Sequence, residues 1–133
     1  MFTLLYDRTH RVLRAHFTGI LGSEDLAARD AALIHFLSEV ERPETIPLID
    51  DYHELQVTAA PRSLLEERAA QPPIVQALHI VVAPPYALES FGEVLRRRQR
   101  ENFGATVEIV HSLDEAYRLL KLDRTFFRPV QDG

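Results

Sequence analysis

Two β-rich runs open the chain, FTLLYD (2 to 7) and RVLRAHFTG (11 to 19), with Arg8, Thr9 and His10 between them. That gap is short enough for a hairpin loop. In the second run Arg14, His16 and Thr18 alternate with Leu13, Ala15 and Phe17. One face of the strand is therefore wet and the other dry, with Val12 the exception. Gly19 and Gly22 then break the pattern, and Ser23 before Glu24 and Asp25 supplies a helix cap with acids in the positive first turn. Leu26, Leu33, Ile34, Leu37 and Val40 recur at helical spacing, which predicts a helix over 24 to 41 closed by Pro43.

IPLID (46 to 50) is too short for a helix and predicts a strand buried on both faces, with Asp50 and Asp51 marking its end and Pro47 at its start. Pro61 opens a second predicted helix, with Leu64, Leu65 and Ala69 on its apolar side and Gln71 near its end. ALHIVVA (77 to 83) predicts a strand stopped by Pro84 and Pro85. Leu88, Phe91, Leu95 and Phe103 outline a helix over 86 to 102, ended by Gly104. ATVEIV (105 to 110) predicts the last strand. Ser112 and Glu115 then form a capping box for a short helix with Ala116, Leu119 and Leu120 inward.

The order is β-β-α-β-α-β-α-β-α, which predicts an α/β fold: a mixed five-stranded sheet that begins with a hairpin and is covered by about four helices. A single domain over 1 to 122 is expected, followed by a tail, 123 to 133. The tail carries Phe126, Phe127 and Val130, whose apolar side chains need a surface on the same chain or on a second copy, so a homodimer is an expectation.

Composition changes this picture by exclusion. The 133 residues are 46% hydrophobic and 26% charged, an ordinary globular balance sized for one core. A net charge of −5 argues against a nucleic-acid partner, because phosphate binding draws on excess Lys and Arg. The absence of cysteine removes disulfides, zinc thiolates and thiol nucleophiles. Charge arrives at Asp7 and Arg8, before a signal-peptide core could form, and no run approaches the ~18 apolar residues of a membrane span. The expected location is cytoplasmic, without stable membrane insertion.

The element order, with the phrases RVLRAHFTGILGSEDL, IPLIDDYHEL, ALHIVVAPP and TVEIVHSLDEAYRLL, resembles the small bacterial SpoIIAA-like proteins of the STAS/SEC14-type superfamily over about residues 2 to 122. The resemblance implies a domain without chemistry of its own that binds protein partners or small ligands. In some such domains a Ser or Thr at the helix start after the third strand is phosphorylated, and the nearest hydroxyl here is Thr58. The phosphosite pattern of those relatives is replaced by Val57-Thr58-Ala59-Ala60-Pro61, and Thr58 also suits a cap of the second helix.

The residues with candidate chemistry are few. Asp50 and Asp51 lie where α/β folds place ligands, and paired carboxylates can hold Mg²⁺. A phosphorelay receiver needs a further acid and a Lys closing later strands, and ALHIVVA and TVEIV end instead in Pro84 and His111. The ordinary role of such an Asp is to accept backbone N–H groups in a turn. His10, His16, His35, His53, His79 and His111 show no local metal-ligand spacing, and no Gly-x-Ser-x-Gly elbow is present, so no cofactor, metal or catalytic residue is assigned. Arg96, Arg97, Arg98 and Arg100 scatter around their helix as a solvated face, with Glu93 paired to Arg97. Asp30 lies within the apolar stripe of the first helix and needs a donor, from His16 or an arginine.

These readings converge on a non-enzymatic regulatory or protein-interaction module. Its expected recognition edge comprises Asp50, Asp51, Tyr52, Thr58 and Tyr86, on the loop from Asp50 to Pro61 and the neighbouring segment Pro84 to Ala87. The alternative is a carrier of a small lipid-like or anionic ligand. A small enzyme using Asp50 and Asp51 is a third possibility, and it would bind a divalent metal.

Overall fold

The computed structural model describes residues 1–20, 22–55, 78–82 and 106–130. The predicted helices over 61 to 71 and 86 to 102, together with Thr58, Tyr86 and the arginines from Arg96 to Arg100, lie outside the described residues.

A six-stranded mixed sheet organises the described chain. Its strands are β1 (Phe2–Asp7), β2 (Val12–Gly19), β3 (Leu48–Leu55), β4 (Leu78–Val82), β5 (Thr106–Val110) and β6 (Phe127–Pro129), in the order β5-β4-β3-β2-β1-β6. The run from β2 to β5 is parallel, while β1 is antiparallel to both β2 and β6. The three predicted strands after the hairpin therefore do lie side by side. The count of five is corrected to six because the tail returns to the sheet. β6 pairs with β1 through Tyr6 and Arg128, and Val130 N–H donates to Leu4 O at 2.8 Å. Pro129 is tolerated because β6 is a short edge strand.

Helix α1 (Ser23–Leu37) covers one face of the sheet. Its N-cap is Gly22, one residue earlier than predicted. The Gly22 N–H donates to the Asp25 carboxylate at 3.1 Å, the return half of a capping box. The helix ends at Leu37 rather than at 41, and a 3-10 turn, Pro43–Thr45, leads into β3. Leu26 and Leu33 are buried against Leu13, Ala15, Phe17 and Leu48. Ile34 is exposed, because one residue beyond Leu33 turns ~100° away from that stripe.

Helix α2 (Leu113–Leu119) lies on the opposite face, where Ala116 packs with Val12, Ile49, Ile80, Val82 and Val110. Val12, which broke the alternation of β2, belongs to this second core. The Ser112 hydroxyl accepts the Glu115 N–H at 3.2 Å, as its motif requires. The inward stripe is Leu113, Ala116, Tyr117 and Leu120, and Leu119 is exposed, correcting its expected inward position. Among the described residues no helix is long and apolar enough to cross a membrane.

A buried carboxylate ties the tail down. Asp7, at the end of β1, accepts the His10 N–H at 2.9 Å and the Phe126 N–H at 3.0 Å, and the His10 ring Nδ1 lies 2.9 Å from its second oxygen. Burial pushes this carboxyl up, but the His10 and Phe126 donors outweigh it and hold the group below its ordinary value. Phe127 then lies against Tyr117, with ring centroids 5.9 Å apart. These contacts place Phe127 and Val130 on their own chain.

Candidate functional site

Strand β3 decides the site by running further than its apolar stretch. The sequence pattern ends the strand at Asp50, whereas β3 continues through Leu55, so the Asp50-Asp51 doublet sits inside the strand. The correction has a physical cause. Polar side chains on both faces of a central strand are tolerated when each finds a partner, and both aspartates do. Successive residues point to opposite faces, so the two carboxylates serve different sides of the sheet.

Asp50 faces α1 and is 1% exposed. Arg29 grips it with two parallel bonds, Nε to Oδ1 at 2.8 Å and Nη2 to Oδ2 at 2.7 Å, and donates Nη1 to Asp30 at 2.8 Å. From β4, His79 Nε2 lies 2.5 Å from Asp50 Oδ2. Asp30 therefore finds its donor in the arginine beside it. Burial pushes the Asp50 carboxyl up, but the Arg29 charge and the His79 hydrogen bond override that and hold it well below the usual carboxylate range. Burial likewise works against the Arg29 cation, and Asp50 more than compensates, raising its pKa. The bidentate geometry is the arrangement in which a buried ion pair recovers most of its desolvation cost. Tyr52 follows on the same face, 4% exposed, with its ring stacked on Phe17 at 5.0 Å. Expected at a recognition edge, Tyr52 is instead part of the core.

Asp51 faces the α2 side and is fully buried, yet its partners reach the surface. His16 of β2 brings Nδ1 to 2.9 Å from Oδ2, and the His53 Nδ1 and main-chain N–H both approach Oδ1. Each Nδ1 thus lies against the buried carboxylate. The other ring nitrogens meet a second acid: His16 Nε2 lies 3.2 Å and His53 Nε2 3.5 Å from the Glu54 carboxylate. A register shift in the β2–β3 pairing, between His16 and Thr18, accompanies this arrangement. Such a bulge brings consecutive residues His53 and Glu54 to one cluster.

Arg14, two residues before His16 on β2, completes the group. Its Nε lies 3.4 Å from Asp51 Oδ2 without hydrogen-bond geometry, its Nη1 donates to the Tyr117 hydroxyl at 3.4 Å, and its guanidinium lies 5.6 Å from the Phe127 ring centre. The charge is balanced through space and by an aromatic face. Burial pushes the Tyr117 phenol up, with Arg14 pulling the other way and Asp51 adding to the rise. The His53 side chain is 33% exposed and that of Glu54 51%, so the cluster is rooted in the sheet and opens to solvent.

Of the five residues expected at the recognition edge, the structure places Asp50 and Tyr52 on the α1 side and Asp51 on the other, while Thr58 and Tyr86 lie outside the described residues. The pattern reading missed the histidines. His16, His53 and His79, expected to be ordinary side chains, each contact one of the two aspartates. The available signal was that Arg14 and His16 share one face of β2 while Asp51 and His53 share one face of β3. Among the described residues, no group of three or more His, Asp or Glu side chains is arranged to hold a metal ion. Comparison of the chain with protein-family models, with curated proteins and with solved structures finds no match.

Proposed function

We propose that this chain is a non-enzymatic protein-interaction module of STAS/SpoIIAA-like type, and that its recognition surface is the Asp51 face rather than the doublet as a whole. The observation that carries this reading is that both ring nitrogens of His16 and His53 contact a carboxylate, Asp51 on one side and Glu54 on the other. Each imidazole sits between two acids, the buried Asp51 and the half-exposed Glu54, and so helps to hold a charged surface in place. A buried aspartate fixes His16 and Arg14, and His53 and Glu54 carry the pattern to solvent. Preorganised charge of this kind lends orientation and specificity to association.

The test is quantitative co-purification from the source cells with tagged wild-type protein, a His53→Ala/Glu54→Arg double variant, and Glu39→Arg on the other side of the sheet as a control. A protein enriched by the wild type and the control, and lost at least about tenfold with the double variant, is the expected result. Identical capture by all three forms would remove the Asp51 face as a recognition surface.

A further inference from the structure

A second surface, independent of the Asp51 face, lies at the other end of the sheet. Between the β1–β2 turn, the C-terminal end of α1 and β6 runs a groove of about 970 Å³. Its floor is apolar: the Tyr6 and Phe36 rings pack at 4.7 Å, with Val40 and Val130 beside them. Its rim is cationic. Arg8 and Arg11 come from the turn and Arg128 from β6, against one acid, Glu41. In a chain of net charge −5, three arginines to one glutamate around a single groove reverse the local sign.

The arginines differ in how free they are. Arg11 holds a left-handed backbone, φ 57°, and its Nη2 donates to the Glu41 carbonyl, bracing the turn against the chain after α1. Arg8 and Arg128 are exposed and have no hydrogen-bond or ion-pair partner among the described residues. Apolar floor plus unpaired guanidinium rim is the composition of an interface centre, where Arg and aromatic residues are enriched.

We infer that this groove docks an acidic peptide segment of a partner protein, seating an apolar side chain on Tyr6 and Phe36 and its carboxylates on Arg8 and Arg128. Cations placed on two separate elements match several carboxylates spaced along a chain better than the single head of a fatty acid. Pro129 removes a main-chain donor from β6, so the peptide is held by side chains and not as an added strand.

The probe is the fluorescein-labelled peptide Asp-Glu-Leu-Phe-Glu-Asp, followed by anisotropy against the full chain. Saturable binding is expected, weakened at least about tenfold by the Arg8→Ser/Arg128→Ser double variant, weakened by added salt, and unchanged by Arg118→Glu on α2. The variant's denaturation midpoint is measured alongside; both arginines are exposed, so it is expected to match the wild type. Equal binding by the double variant, or of the Lys-Lys-Leu-Phe-Lys-Lys peptide, overturns the proposal. Stronger binding of decanoate would make the groove a carrier site, and self-association abolished by the same variant would assign it to a second copy; either outcome also overturns the peptide assignment.

Discussion

The two faces of the central sheet solve the same electrostatic problem in different ways. On the α1 side, Asp50 meets a bidentate arginine and a histidine, all shielded from water. On the α2 side, Asp51, one residue later, meets two histidines and an arginine whose outer atoms reach solvent. The difference is one of rim, not of centre, since both carboxylates are buried. The closed cluster offers almost no surface, so its charges bear chiefly on the fold. An open cluster rooted in the same strand can present charge to a partner without losing its footing.

The largest expected effect comes from emptying the closed side. Asp50→Ala leaves the buried Arg29 cation without its principal partner, and a loss of about 3–5 kcal/mol is expected from urea denaturation at neutral pH. The Asp50→Leu/Arg29→Met double variant removes both charges and is expected to recover part of that loss, the rest being held back because Asp30 loses its Arg29 donor. Acid sharpens the test. The folded pKa of Asp50 is depressed from 3.8, so the unfolded chain binds more protons as the pH falls. The stability Asp50 contributes is complete above its ordinary value and lost as pH falls toward the folded one, so the gap between wild type and Asp50→Ala should narrow below about pH 4. A gap unchanged down to pH 2 would mean that Asp50 and Arg29 do not act as a pair.

Asp51→Asn addresses the open side with a smaller expected loss. Asn keeps the shape but removes the buried charge that His16, His53 and Arg14 all face, so about 1–3 kcal/mol is expected by the same denaturation assay. Water can reach His16 and His53 and make up part of the deficit. A loss equal to that of Asp50→Ala would erase the distinction between the faces.

Much of the architecture was legible because apolar period reports burial. The hairpin, α1, α2 and the strands β4 and β5 follow from it directly. The second half of β3 did not, because DYHEL reads as a polar loop unless the partners of its charges are known, and those come from α1, β2 and β4. β6 was illegible for another reason: three residues ending in proline carry no periodic signal, and what ties them to the sheet is the pairing with β1 and the Phe126 N–H bond to Asp7. The candidate site was legible in its acids and hidden in its histidines. Register is what joins them. With His16 paired to Asp51 across parallel strands, a one-residue slip would send the two side chains to opposite faces.

The smallest effect separates anchoring from presentation within the open cluster. Glu54→Gln removes one negative charge beside His16 and His53 while keeping the side chain's length. Because this carboxylate is 51% exposed, the pair energies are screened, and a stability change within about 0.5 kcal/mol is expected. The ring environment should nevertheless change: in ¹⁵N spectra the Nε2 signals of His16 and His53 are expected to move, while His79, on the other side of the sheet, stays put. If the variant loses more than about 1.5 kcal/mol, Glu54 is part of the fold's foundation in the way Asp50 is, and the open face is structural throughout. If instead the fold is untouched and only those two rings respond, Asp51 holds the cluster and Glu54 faces outward from it, the division a recognition surface requires.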